Sequence, residues 1–290
     1  MTTNWLMTMR TGRPPEGDER FRRSRARPRF RVIALPHAGG WPSAFQPWQP
    51  GLPDDVELLV GQLPGRGPRI GEPPLRRVEP LVEGLSRAVA ELEPMPYAVI
   101  GHSFGSVLGY ELTKAMEHKG LPPRLLAVSA RQPPCFPSEP PFAHLRTDDE
   151  LLAHLVDIGG VSADLLRRPA LMGPSLAAIR ADLEAMETYR RPLSGTAVPI
   201  LSLGAVDDPV VIAERLHLWS LETTGSFTRL MFTGGHFYLY SPDSAAVIIR
   251  HLVSGLTGGS PPPAPPSPAD GPPGHVSPAA VGHVPERTLS

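Results

Sequence analysis

The stretch from Pro96 to Tyr110 constrains this chain more than any other. An apolar segment runs into Gly101-His102-Ser103-Phe104-Gly105 and passes at once into helical spacing. That layout is strand, sharp turn, helix. A serine at such a turn sits in strained backbone geometry, so glycines are required where a Cβ would meet neighbouring backbone. The Ser103 hydroxyl then stands at the carboxyl edge of a sheet. The helix that follows directs its N-terminal amides at any negative charge developing there. The pentapeptide alone is a weak signal: in a chain with 28 glycines among 290 residues, chance supplies roughly 0.2 such matches. What decides is whether the rest of the sequence supplies an acid, a base and a second amide donor.

Short apolar runs at Phe30–Leu35, Val56–Leu63, Ala98–Ile100, Leu125–Ser129, Val198–Leu203 and Phe227–Phe232 read as buried strands. Helical patterns at Leu81–Leu92, Ser103–His118 and Ser241–Leu252 fall between or after them. Strands alternating with helices predict βαβ units and a mostly parallel sheet flanked by helices, an α/β fold. After Arg131 the pattern changes to a Pro-rich stretch and then three helical segments, Asp148–Leu155, Ala163–Leu171 and Ser175–Tyr189. This insertion, about residues 132–190, begins at a strand's carboxyl end, where a helical lid over a site is expected. Residues 1–28 are Arg-rich and Pro-interrupted and read as a disordered leader, and residues 256–290 as a disordered Pro/Gly/Ser/Ala-rich tail. Residues 29–255 are left as the folded domain.

The candidate site residues each follow a separate strand. Pro36-His37-Ala38-Gly39-Gly40 follows the first, Asp207-Asp208-Pro209 the one at Val198–Leu203, and Gly234-Gly235-His236-Phe237 the last. The order Ser, Asp, His is that of α/β-hydrolases and differs from the orders in chymotrypsin and subtilisin. Ser103 is a weak nucleophile without a base within reach, and His236 is that base. A carboxylate must hold the imidazole tautomer; Asp208 is favoured over Asp207. His102, next to Ser103 on the turn, points elsewhere and has a structural role. The backbone N–H groups of Ala38 and Phe104 are the expected oxyanion donors. His37 reads as a turn residue, with a role in shaping the pocket as the alternative.

Composition excludes several other classes. A formal net charge of -1 argues against a nucleic-acid partner. The single Cys135 excludes an intrachain disulfide and a Cys-based metal site and fits a reducing cytoplasm. No apolar run reaches the ~18 residues of a membrane span, and no apolar segment follows the N-terminal arginines as in a secretory signal.

Taken as a set, Leu35 to Gly40 (Leu-Pro-His-Ala-Gly-Gly), Gln62 to Gly67 (Gln-Leu-Pro-Gly-Arg-Gly), Gly101 to Gly105, Asp208-Pro209 and Gly234 to Phe237 carry a family likeness. They resemble the discrete type II thioesterases of modular polyketide and nonribosomal peptide synthesis, over about residues 30–253. The resemblance implies an α/β-hydrolase fold and an editing hydrolase that clears acyl groups from the phosphopantetheine arm of acyl or peptidyl carrier proteins. It matches Asp208 to the catalytic acid. It implies no metal and no organic cofactor, since the thioester is already activated and the phosphopantetheine belongs to the substrate. The chain is expected to act as a cytoplasmic monomer, with carrier domains as partners and neither membrane nor nucleic acid. Family members often have Phe where His37 stands and Met where Phe104 stands, departures that alter pocket shape without removing a catalytic group. Carrier domains are usually acidic, so Arg66, Arg69, Arg76 and Arg77 are candidates for a basic rim. Three competing readings remain: a general carboxylesterase with the same triad, a chain-terminating thioesterase, which is normally fused to a synthase, and a non-catalytic carrier-binding module.

Overall fold

Strands buried on both faces of a parallel sheet must be apolar at nearly every position, and the runs in this sequence are. The computed structural model describes residues 4–9, 27–162, 164, 172–260 and 262. Its strands are β1 (Leu6–Met9), β2 (Phe30–Leu35), β3 (Val56–Gly61), β4 (Tyr97–His102), β5 (Leu125–Ser129), β6 (Ile200–Ala205) and β7 (Phe227–Phe232). They form one sheet in the order β1-β3-β2-β4-β5-β6-β7. β1 is antiparallel to β3, and every other pair is parallel. The helices are α1 (Val78–Ala90), α2 (Phe104–His118), α3 (Asp148–Asp157), α4 (Gly173–Thr188) and α5 (Pro242–Thr257).

Alternation along the strands divides the core in two. Ile33, Leu35, Val99 and Val128 face a layer that includes Leu81 and Leu85 of α1 and Leu108 of α2. Val32, Ala34, Ile100 and Ala127 face the other side, where Phe45, Trp48 and Ile248 of α5 pack. Both faces are therefore covered, as the continuous apolar runs require.

The strand order places the site. The chain lays β3 on one side of β2 and returns to lay β4 on the other, so a crevice opens at the carboxyl ends of β2 and β4. Leu35 lies opposite Gly101 in that pair. The loop from Pro36 and the turn at Ser103 therefore leave the sheet side by side. Between β5 and β6 the insertion carries α3 and α4, at the segments expected to be helical. α3 opens on a capping box, Thr147 with Glu150. The helix expected over Ala163–Leu171 lies outside the described residues, Asp164 excepted.

One expectation is corrected at the N-terminus. Leu6–Met9 is not part of a leader: it adds an antiparallel edge strand, with Leu6 opposite Gly61. Trp5 packs on Gly84, where an added Cβ would come within 2.2 Å of the indole, and the Arg69 guanidinium lies 4.2 Å above its ring. Four residues separated from the next strand by a polar stretch gave no period to read. Residues 10–26 lie outside the described residues. At the other end α5 runs two residues past the expected boundary at 255, to Thr257, and ends on Gly258 with φ 73°; most of the tail lies outside the described residues. Leu6 is buried, so Leu6→Ala is expected to lower stability by about 2–3 kcal/mol in urea-induced unfolding. A leader outside the fold would leave the midpoint where it was.

Candidate active site

The turn at Ser103 is built from backbone contact. Ser103 has φ 54° and ψ -114°, and it shares positive φ with only Ala130 among the described non-glycine residues. Such geometry persists only where neighbours over-determine it. A Cβ on Gly101 would lie 1.9 Å from the Gly105 carbonyl oxygen, and one on Gly105 would lie 2.0 Å from that of Leu35. Both glycines are thus required by close approach. The Ser103 amide donates to the Ser129 carbonyl at 2.7 Å. Ser106 braces the turn from inside the helix: its hydroxyl contacts the carbonyls of Gly101 and Ser129 at 2.9 and 2.8 Å and accepts the Ser129 amide at 2.9 Å. The Ser103 residue remains 8% exposed, open to a cavity.

The acid and base meet because β6 and β7 pair in register, Ala205 opposite Phe232. Three and four residues beyond those ends, Asp208 and His236 come together. His236 Nδ1 lies 2.9 Å from Asp208 Oδ2 and 3.1 Å from Oδ1. Their side chains are 3% and 2% exposed. Asp208 Oδ1 also accepts the Val210 amide at 2.8 Å, which fixes the carboxylate on its own loop. Asp207 takes the other role: it accepts the Gly234 amide at 3.2 Å and braces the loop that carries His236. The carboxylate on the imidazole is therefore Asp208. His102 is sealed in the core with Nδ1 2.9 Å from Ser129 Oγ, the structural placement expected of it.

Ser103, His236, Ala38 and His37 border one cavity of about 630 Å³, within the ~300–1,000 Å³ of small-molecule sites. The insertion supplies its apolar wall, including Leu155 and Ile158 after β5 and Ile179, Leu183 and Met186 on α4. Phe104 opens α2, so its amide is one of the unpaired N-terminal donors of that helix. Its side chain lies in the core and not in the cavity wall, so the departure from Met there does not reshape the pocket. His37 does shape it: the ring lies edge-on to Phe237 at 4.9 Å, and Nδ1 is 2.8 Å from the Tyr240 hydroxyl.

The arginine rim needs correction. Arg66 and Arg69 are buried, not at the surface. Arg69 holds Glu72 and the Gln62 carbonyl, and Arg66 forms a bidentate pair with Asp182 on α4. Arg76 is paired with Glu184 of the same helix; of the four, Arg77 is the one most exposed. Sequence reading found neither Asp182 nor Ser106. Asp182 lies 116 residues from Arg66, and no local pattern joins them. Among the described residues no cluster of His, Cys, Asp and Glu is arranged to hold a metal, and no helix is long and apolar enough to cross a membrane.

A serine on a strained strand-to-helix turn and an imidazole on a carboxylate, on this sheet, define a serine hydrolase of the α/β-hydrolase class. Residues 30–255 match the thioesterase domain family, and the chain belongs to it. It is 31% identical over 214 residues to the gramicidin S biosynthesis protein GrsT of Aneurinibacillus migulanus, covering 73% of this chain and 84% of that protein. The type II thioesterase BorB from the borrelidin biosynthetic cluster superposes with a TM-score of 0.75 at 32% identity, over 88% of this chain and 99% of that one. The RedJ thioesterase from the prodiginine pathway of Streptomyces coelicolor gives 0.73 at 35% identity, over 79% and 86%. The protein is a thioester hydrolase.

Burial, then the nearby His236 and then Arg66, push the His37 imidazole down from 6.5 to about 3. The unfolded chain takes up that proton near 6.5 and the folded protein does not. Stability contributed by neutral His37 is therefore complete above that pH and is lost as pH falls toward 3. His37→Phe is expected to flatten the dependence of unfolding free energy on pH between about 6.5 and about 4. In the wild type the His37 ring resonances are expected not to titrate above about pH 5; a ring titrating near neutrality would refute this.

Proposed function

We propose that this protein edits carrier-bound intermediates, hydrolysing stalled or mis-primed acyl groups from the phosphopantetheine arm of acyl or peptidyl carrier domains. The observation that carries the reading is the buried Asp208–His236 pair on the cavity that Ser103 opens into. BorB, described as a type II thioesterase from a biosynthetic cluster, matches over nearly its whole length, which supports the editing role.

In the proposed reaction His236 Nε2 takes the Ser103 proton as Oγ attacks the thioester carbonyl carbon. The oxygen becomes negative in the tetrahedral intermediate and is held by the Ala38 and Phe104 amides, the latter at a helix N-terminus where negative charge is favoured. On collapse the C–S bond breaks, and imidazolium gives its proton to the departing pantetheine thiolate. Water then attacks the acyl-serine with His236 again as base, releasing the carboxylic acid and restoring Ser103. Asp208 keeps Nδ1–H donating so that Nε2 is the basic nitrogen. Thiolate is a good leaving group, so this chemistry needs neither metal nor organic cofactor. The insertion acts as the lid that selects acyl chains, lining the cavity with apolar side chains such as Ile179 and Leu183 and charged ones such as Arg146 and Glu187. The site of action is the cytoplasm, and the chain works as a monomer.

The test is release of short acyl groups from a holo carrier protein, with a p-nitrophenyl ester as control. Carrier deacylation should exceed ester cleavage at matched concentration. Ser103→Ala or His236→Ala should lower turnover by about 10⁴-fold, and Asp208→Asn by about 10²–10⁴-fold. Rapid ester cleavage with inert acyl carrier would move the function to a general esterase. Losses below tenfold would remove the triad assignment.

A further inference from the structure

The Asp182 carboxylate lies on α4, in the insertion, yet it reaches the loop after β2. Its side chain is 1% exposed and that of Arg66 is 3% exposed. Arg66 Nη1 and Nη2 donate to Oδ2 and Oδ1 at 2.5 and 2.7 Å, a bidentate fork. Oδ2 also accepts the Gly39 amide at 2.7 Å. One turn earlier on the same face, Ile179 sits against Gly39, where an added Cβ would come within 2.1 Å of its Cγ1. Gly39 has φ 73°, a further reason for glycine there. Two side chains of α4 thus hold the residue next to Ala38.

The geometry of the loop makes that grip consequential. The Gly40 amide donates to the His37 carbonyl at 2.8 Å. That carbonyl and the Ala38 N–H belong to one trans peptide plane and point opposite ways. The plane on the other side of Ala38 contains the Gly39 N–H, which Asp182 holds. Both peptide planes around Ala38 are therefore pinned. Among the described residues the Ala38 amide has no protein acceptor, and Ala38 borders the cavity.

We propose that Asp182 is a positioning residue for the oxyanion site: by gripping the Gly39 amide from the insertion, with Arg66 orienting its carboxylate, it keeps the Ala38 amide aimed at the reacting carbonyl oxygen. The proposal rests on the hydrolase reading above. It ties the position of α4 to the competence of the site, since the helix that walls the acyl cavity also sets one oxyanion donor. A carboxylate is required because three donors converge on it. An asparagine has one acceptor oxygen and must lose at least one of the three.

Asp182→Asn tests this with two substrates, an acyl-pantetheine and p-nitrophenyl acetate. The expected result is kcat lowered about 10- to 100-fold with KM changed less than about twofold. A boronic acid that adds to Ser103 should bind more weakly by the same factor as kcat, while a non-hydrolysable thioether analogue binds as before. Arg76→Ala, which removes the Glu184 pair on the same helix, should leave all these values unchanged. Arg66→Lys retains a donor to the carboxylate and the Gly39 grip, so it should lower the melting temperature with kcat within about fivefold. Equal weakening of boronate and thioether, or equal kcat losses in Asp182→Asn and Arg66→Lys, would overturn the proposal. If Asp182→Asn does not fold, amide NMR of the wild type decides: boronate must shift the Ala38 resonance and protect it from exchange, and an unresponsive Ala38 amide defeats the idea. A wild type that cleaves the ester and not acyl-pantetheine would remove the thioesterase reading alone, because the positioning effect is still read on the ester.

Discussion

The site depends on a contact between backbones. The turn at Ser103 is seated against the end of β2, with Gly105 lying so close to the Leu35 carbonyl that no Cβ fits between them. The β2–β4 pairing that puts Leu35 opposite Gly101 makes this approach possible. It also fixes the distance from the Ser103 turn to the loop carrying Ala38, because both segments start at matched positions on adjacent strands. Where the serine turn and the Ala38 loop leave the sheet is thus set by strand register, Ser106 locks the turn against β5, and the Gly39 amide beside Ala38 is held from the insertion by Asp182.

A second strand pair does the same for the acid and base. β6 and β7 end in register at Ala205 and Phe232, so the short loops beyond them converge on each other. The two halves come from either side of β5, and the insertion closes over them from the same strand. Precision in the site is then mostly a property of parallel register, which the buried core on both faces holds. The insertion is held differently: Leu176, Ile179, Leu183 and Met186 of α4 pack into the core layer shared with α1 and α2, and Asp182 pairs with Arg66.

What could be read from sequence follows from this arrangement. Strands, the turn and the chain order of Ser103, Asp208 and His236 were legible because each is encoded within a few consecutive residues. The choice between Asp207 and Asp208 was not fixed by the residues alone, because adjacent side chains on one loop point apart and only the folded loop shows which faces the imidazole. Arg66 was visible as part of a motif, but its surface placement was wrong. An arginine reads as exposed unless its partner is known, and Asp182 is far away in the chain. β1 was missed because an edge strand of four residues, buried mainly through Leu6, has too little pattern to separate from a polar leader.

The electrostatics of the crevice explain why histidines crowd it without interfering. His102 lies 5.3 Å from His236 and 6.1 Å from His37, ring to ring. Burial first, and then their proximity to His236, hold both His37 and His102 below the ordinary imidazole value. In the proposed reaction, therefore, neither carries a proton when His236 takes one from Ser103. Two imidazolium rings at that spacing would repel each other and oppose proton transfer. Keeping the neighbours neutral leaves the Asp208 carboxylate, 2.9 Å from Nδ1, as the hydrogen-bonded partner of His236. The same neutrality suits their hydrogen bonds, since a neutral ring can either donate to or accept from the hydroxyls of Tyr240 and Ser129. Phe237 and Tyr240 pack edge-on against these rings. The crevice thus admits one developing cation, placed where the carboxylate waits for it.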